Sequence, residues 1–427
     1  MKYPNIYILT IISLSHLILF INTSINATII ISDNNNSGLR RQPFNNINKD
    51  DTSYGHTFLV KVHNNTKYGT RIYVHTDCRV ALLDGNNIQK EMANSLIAIS
   101  NPLGSPCNKN DVNGIGVSTS GTYAIVTYGT SISVLSFAEN DEDDDLNIPK
   151  TLKTLQSRPV NIISNDNNVF VTYKRITNGI YDKKNNRDLF IGIGWDQQND
   201  GHVLIIASSG EGATLSLKII ASLKIGPDLY DVRPYDGYYL LDSLMIANCK
   251  SGLQVLNYDV EKNQLVKVAK GAFPLSYSSG STADGMDVTP NFAYIAAQGD
   301  GLYVFDLKKK QLVGKTNDGL NSGWAGGVRA IGNLALIAAD PGLVIYDIKD
   351  PTKPTLKYVC KMGGKGKGWN IALDKSSNTV FLADNEGGLQ IVQLIDGGKA
   401  KIIGHFGMGV IQDCDGSGGD KKVVMVV

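Results

Sequence analysis

NFAYIAAQGDGLYVFDL (291–307) and NLALIAADPGLVIYDI (333–348) each read as an apolar strand, a glycine-containing turn and a second apolar strand. VFLADNEGGLQIVQL (380–394) and LMIANCKSGLQVLNY (244–258) repeat the pattern. With the leucine after the turn as a marker, the copies fall at Leu253, Leu302, Leu343 and Leu389, separated by 49, 41 and 46 residues. Weaker copies are TYAIVTYGTSISVLSF (122–137), HVLIIASSGEGATLSLKI (202–219) and RIYVHTDCRVALLD (71–84), with VFVTYKRITNGIYDKK (169–184) as an eighth candidate. Strand repeats at this period indicate propeller blades. One four-stranded sheet cannot bury both faces, but neighbours stacked around a ring cover each other and leave only short edges. The expectation is an all-β chain forming a single β-propeller of seven or eight four-stranded blades. The tail, GVIQDCDGSGGDKKVVMVV (409–427), resembles half a unit. It is expected to close the ring by pairing of the two termini, with strands near Phe58–Val62 and Arg71–His75 as its partners.

Composition narrows the class. The 427 residues carry 41 basic and 40 acidic side chains, a formal charge of +1 that excludes an electrostatically driven nucleic-acid binder. Lys2 followed by the apolar run Ile6–Phe20 and then small residues describes a secretory signal, with cleavage expected after Ala27. The run is short for a membrane span, which needs about 20 apolar residues. No later segment reaches that length, so no transmembrane anchor is expected in the mature chain. The domain reading is a signal peptide over 1–27, a polar Asn-rich lead-in over 28–55 and the propeller over 56–427. In a secreted protein Asn35 and Asn64 head glycosylation sequons. The five cysteines (Cys78, Cys107, Cys249, Cys360 and Cys414) permit at most two internal bridges, and their spacing does not settle the pairing.

Gly342-Leu343-Val344-Ile345-Tyr346-Asp347, continued by Ile348-Lys349-Asp350-Pro351 and by Pro354, resembles the LVIVD repeat of secreted and surface-attached propellers. Leu302–Leu307 (LYVFDL) keeps the strand without the prolines. The resemblance spans most of 70–400 as a pattern and about 15 residues as a motif. It implies the fold and an extracellular setting; it transfers no catalytic residues.

In a propeller the loops entering each inner strand converge on the channel mouth. Four of them, 276–288, 316–328, 361–371 and 404–410, are glycine-rich, which suits either crowding at the axis or a ligand rim. Repeat alignment places Asp287, Arg329 and Asn370 at related positions. Lys361, Lys365, Lys367 and Trp369 form a basic and aromatic patch suited to an anionic polymer. The ligand-binding set is therefore Arg329, Lys361, Lys365, Lys367, Trp369 and Asn370. The acidic run 139–145 reads as a solvated insertion or a calcium collector. Asp413, Asp415 and Ser417 match the start of a calcium loop but lack its closing glutamate, so calcium is a minor expectation and no other cofactor is expected. No GxSxG, HExxH or phosphate-loop motif occurs. Asp287, His405 and Ser281 (or Ser279) are the candidates for a hydrolytic set. The expected function is a secreted propeller that binds an anionic polymer, glycan or surface protein at its mouth. The alternative is a secreted hydrolase of ester or glycosidic bonds in an anionic polymer of the polymalate type.

Overall fold

The structure is a computed structural model that describes residues 28–31, 40–43, most of 57–406, and Cys414. Residues 1–27, most of 32–56, the acidic run at 139–145 and the tail other than Cys414 lie outside the described residues, as do stretches such as 104–111, 235–243, 277–280 and 363–366. A two-stranded hairpin, β1 (Thr28–Ile31) with β2 (Arg40–Pro43), precedes the rest.

Seven blades follow. Blade 1 comprises β3 (Val60–Asn65), β4 (Gly69–Thr76), β5 (Arg79–Asp84) and β6 (Leu96–Ser100). Blade 2 comprises β7 (Val112–Val117), β8 (Tyr123–Tyr128), β9 (Ser131–Ser136) and β10 (Lys153–Pro159). A short β11 (Ile163–Ser164) runs parallel to the outer strand of blade 3. Blade 3 has an inner strand split into β12 (Thr172–Ile176) and β13 (Ile180–Asp182), then β14 (Arg187–Trp195), β15 (Asp200–Ser209) and β16 (Ser216–Pro227). Blade 4 is β17 (Asp231–Pro234), β18 (Leu244–Asn248), β19 (Gly252–Asp259) and β20 (Gln264–Phe273). Blade 5 is β21 (Gly285–Val288), β22 (Phe292–Ala296), β23 (Leu302–Asp306) and β24 (Gln311–Thr316). Blade 6 is β25 (Ala325–Ile331), β26 (Leu334–Ala339), β27 (Gly342–Asp347) and β28 (Thr355–Lys361). Blade 7 is β29 (Asn370–Asp374), β30 (Thr379–Ala383), β31 (Leu389–Ile395) and β32 (Lys399–Phe406). Within each blade the strands pair antiparallel.

The apolar runs have no polar face because each sheet is covered on both sides. In blade 7, Phe381, Ala383, Leu389 and Ile391 pack with Val60, Ile72, Val74 and Leu83 of blade 1. The alternate residues Val380, Leu382 and Val392 pack with Leu336, Ala338, Leu343 and Ile345 of blade 6. Strand periodicity thus sends successive side chains into two different seams.

Two recurrent positions explain the repeat. The glycine before each marker leucine has a left-handed φ: 85° at Gly252, 78° at Gly301, 123° at Gly342 and 71° at Gly388. The aspartate closing the third strand, Asp259, Asp306 or Asp347, accepts backbone N–H groups from the turn that follows; Asp306 Oδ1 takes Lys308 N at 3.0 Å and Lys309 N at 2.8 Å. That carboxylate is the terminal D of the repeat, and these hydrogen bonds hold all three below the usual carboxylate range. The Asp-Pro-x-x-Pro extension sits on the neighbouring blade, where a Cβ on Gly314 would lie 2.2 Å from Pro351 O.

The count resolves to seven because 169–184 supplies the inner strand of blade 3. The segment 202–219 is that blade's third and fourth strands, one strand later than its supposed equivalents. Closure also takes a particular form. The proposed partners of the tail pair with each other, Val60 opposite Val74 and Val62 opposite Ile72, and β5 occupies the far edge of β4. Blade 1 meets blade 7 through their shared core and through Thr57, which exchanges two 2.9 Å backbone hydrogen bonds with Asn385. Cys414 is disulfide-bonded to Cys360 on β28, and its carbonyl accepts Lys361 N at 3.3 Å.

Candidate functional site

The loops entering the inner strands and the hairpins between second and third strands lie at one end of the ring. Over blades 5 to 7 that end is crowded. A Cβ on Gly285 would lie 2.6 Å from Gly326 O, and one on Gly326 would lie 2.8 Å from Trp369 O. One on Gly368 would lie 2.7 Å from Ala339 N. The glycines of these loops therefore serve close backbone packing of adjacent inner strands.

Asp284, Trp324 and Trp369 occupy one repeat position, each directly before an inner strand. Asp284 N and Trp369 N donate to the last residue of the second strand (Ala296 O and Ala383 O, 2.9 and 2.8 Å), while Trp324 O accepts from Asp340 N at 3.1 Å. Asp284 is buried and accepts from Thr282 Oγ1 at 3.2 Å and Gln298 Nε2 at 3.0 Å. Trp324 and Trp369 are half-buried, with ring centroids 4.9 Å apart and planes tilted by 56°. Beside them Lys367 Nζ lies 3.7 Å from Asp340 Oδ2.

A polar row lies on the face of blade 7 that meets blade 6. Gln390 pairs with Leu382 on one side and His405 on the other, and Asp384, two residues beyond Leu382, shares their face. All three are at most 1% exposed. Gln390 Nε2 and His405 Nε2 both donate to Gly387 O, at 2.9 and 2.7 Å. Burial pushes the Asp384 carboxyl up to about 7; the neighbouring Asp340 charge adds to this and Gln390 eases it. Burial pushes His405 down, against the Gly387 carbonyl.

The sequence-derived candidates divide as follows. Trp369 and Lys367 join this rim, and Lys361 is exposed at the end of β28. Asn370 Oδ1 accepts Val60 N at 3.4 Å, and Asp287 Oδ2 accepts Ala330 N at 2.9 Å, so both tie the inner strand of one blade to the next. Arg329 is half-buried, with Nη1 on Val328 O at 2.6 Å. Ser281 is buried before β21 of blade 5, whereas His405 ends the outermost strand of blade 7, so blade 6 separates them. His405 belongs to a strand and not to a rim loop. Asn64 is exposed on β3, and its Nδ2 donates to Asp374 Oδ1 at 3.3 Å. Lys365, Ser279, Asn35, Asp413, Asp415 and Ser417 lie outside the described residues. Among the described residues no cluster of three His, Cys, Asp or Glu side chains forms.

Sequence reading missed Trp324, Asp340, Asp384 and Gln390. The signal was available for the two acids, since each directly follows the alanine that ends a second strand, in IAAD (337–340) and FLAD (381–384).

These features define a seven-bladed β-propeller. The chain carries LVIVD repeats: the family profile described as LVIVD repeat matches residues 280–307 and 322–361, in blades 5 and 6, consistent with an LVIVD-repeat propeller family. Among solved structures the chain is similar to the crystal structure of the WD40 β-propeller domain of Doa1, at 9% identity and a TM-score of 0.52, covering 79% of this chain and 92% of that one. It is similar also to the structure of U3-55K, at 11% identity and a TM-score of 0.50, covering 78% and 89%. At such identities the likeness is one of fold. No curated protein matches the chain. Among the described residues no helix is long and apolar enough to cross a membrane.

Proposed function

We propose that the protein is a secreted binding propeller that holds an anionic polymer or glycan at the mouth over blades 6 and 7. The observation that carries this is the half-buried Trp324–Trp369 pair, set at equivalent positions of adjacent blades and flanked by Asp340 and Lys367. Aromatic faces with a few charged groups at the edge are the usual chemistry of a ligand rim. Lys361 and Lys367 would supply attraction for a polyanion, although Asp340 offsets part of the Lys367 charge. Secretion is supported by the signal-like amino terminus and by the Cys360–Cys414 disulfide, a bond typical of oxidising compartments.

The test is a retention assay of the full-length secreted protein against a panel of anionic polymers and glycans, scoring bound polymer and released monomer separately. Retention without release, lost in the Trp324→Ala and Trp369→Ala proteins, supports the reading. Retention unchanged in both variants moves the binding face elsewhere. Monomer release by the wild-type protein would replace binding with hydrolysis.

A further inference from the structure

The Trp324–Trp369 pair meets a ligand through carbon. Both indole nitrogens are shielded from solvent, and a Cβ on Gly326 would sit 3.0 Å from Trp324 Nε1. The hydrogen-bonding edge of each ring is turned inward, so a half-buried indole has only its apolar ring surface left to offer. The polar groups beside the rings come as an acceptor next to a donor. Asp340 Oδ2 and Lys367 Nζ are 3.7 Å apart, with side chains 23% and 51% exposed. An ionised carboxylate only accepts and an ammonium only donates, whereas a hydroxyl does both. A hydroxyl set against this pair takes a hydrogen bond from Lys367 and gives one to Asp340. An anionic group would use Lys367 alone and be repelled by Asp340. Asp384 holds the equivalent position in blade 7 and feels the Asp340 charge, so two carboxyl groups surround the Lys367 ammonium. Lys361 belongs to the outer strand β28 and not to this group.

We propose that the mouth over blades 6 and 7 takes a pyranose ring of an uncharged polysaccharide, stacked on the indole carbon of Trp324 and Trp369 and held by its hydroxyls between Asp340 and Lys367. The proposal rests on the mouth reading above and narrows it to one ligand class. A pyranose has what this lining asks for, a flat run of C–H groups on one face and hydroxyls around its edge. A polyester of hydroxy acids has neither. Backbone pairing sets the parts in advance. Trp369 N donates to Ala383 O at 2.8 Å, and Trp324 O accepts from Asp340 N at 3.1 Å. The hydrogen bond that anchors Trp324 thus also places Asp340 beside it. Rings and charges already fixed in this way lose little freedom when a sugar binds.

The experiment uses the full-length protein and, as probes, a soluble β-glucan, a mannan, chitin oligosaccharides and the ringless polyanion polymalate. Binding is read as retention on the immobilised probe and as a change in tryptophan fluorescence, at low and at high salt. Retention of at least one neutral glycan, insensitive to salt, is expected. Trp324→Ala should weaken it at least ~10-fold. Asp340→Asn decides, because it keeps the shape of the side chain and its effect has opposite sign for the two ligand classes. It should weaken glycan binding at least ~10-fold by removing a hydrogen bond to a charged group, and it should tighten binding of a polyanion. Melting temperatures near that of the wild type show that both variants are folded. Retention of polymalate alone, lost in high salt and tightened in Asp340→Asn, overturns the pyranose assignment and leaves the mouth as the binding face. Retention of a neutral glycan that neither variant weakens overturns the assignment and the mouth together. Binding to none of the glycans overturns the assignment as well.

Discussion

Replacing Gly301 by alanine tests the physical reason for the repeat's marker position. Gly301 has φ 78° and ψ −128°, a region that L-residues occupy at a cost of about 1–3 kcal/mol. A Cβ there would also lie 2.3 Å from Thr316 O and 2.7 Å from Asn317 Cα. These are backbone atoms of the outer strand's end, so relief requires moving the strand, at a further cost of about 1–3 kcal/mol. The total is about 4 kcal/mol. For about 350 residues melting as one unit, the unfolding entropy near 60 °C is about 0.7 kcal/mol/K, so the melting temperature should fall by about 5 °C. Gly332 is the control: its φ is also left-handed, at 55°, but a Cβ there would meet nothing within 4 Å. Gly332→Ala should cost only the backbone term, about 1 kcal/mol, or one to two degrees. Calorimetry of both variants and the wild type decides. If Gly301→Ala melts no lower than Gly332→Ala, the approach of the outer strand is not what selects glycine before the leucine. Gly342→Ala, with Cys360 O at 2.5 Å, should follow Gly301.

Burial of the Asp384 carboxyl should give the fold a particular pH dependence. With the carboxyl raised from 3.8 to about 7, the unfolded chain ionises first, so stability should fall as pH climbs through that window and level off above it. The full effect is about 4 kcal/mol, and Asp384→Asn should melt higher than wild type at pH 8 and lose the dependence in denaturant titrations. Cys360→Ser should lower stability by about 4 kcal/mol on the chain-entropy estimate for a 54-residue separation; equal melting with and without reductant would refute this. Asp188 accepts Tyr123 Oη–H at 3.0 Å and Thr119 N at 3.3 Å across blades 2 and 3. Asp188→Ala should therefore cost about 2–3 kcal/mol by urea melts, and Tyr123→Phe in that background should add nothing more.

The repeat was legible where glycine precedes leucine, because one conformational demand recurs in blades 4, 5, 6 and 7. Blade 3 escaped because its corresponding hairpin turns through Asp196–Asn199, with Asn199 taking the left-handed φ of 62° and no glycine before a leucine. The next hairpin, 202–219, then looked like the repeat. Blade 1 holds four strands of its own, and the tail whose sequence resembles half a unit lies, apart from Cys414, outside the described residues. At the site, Trp369, Lys367 and His405 stood out by residue type. His405 was read as a loop residue because glycines flank it at 404 and 407. Asp384 and Gln390 carry no local motif, and their meaning comes from strand register, which aligns them with a histidine on the next strand.

Strand β10 first runs parallel to β6 of blade 1, Lys153 opposite Ala98, and then becomes the outer strand of blade 2, Gln156 opposite Ser136. Blades 1 and 2 are thereby sewn into a single eight-stranded sheet. Prising that seam apart means breaking backbone hydrogen bonds as well as exposing apolar surface. The junction of blades 7 and 1 has side-chain packing, the Asn370 and Asn64 side-chain hydrogen bonds and the short Thr57–Asn385 bridge, but no strand-to-strand ladder among the described residues. Under load or heat that junction should part before the seam between blades 1 and 2, so that these two leave as a pair.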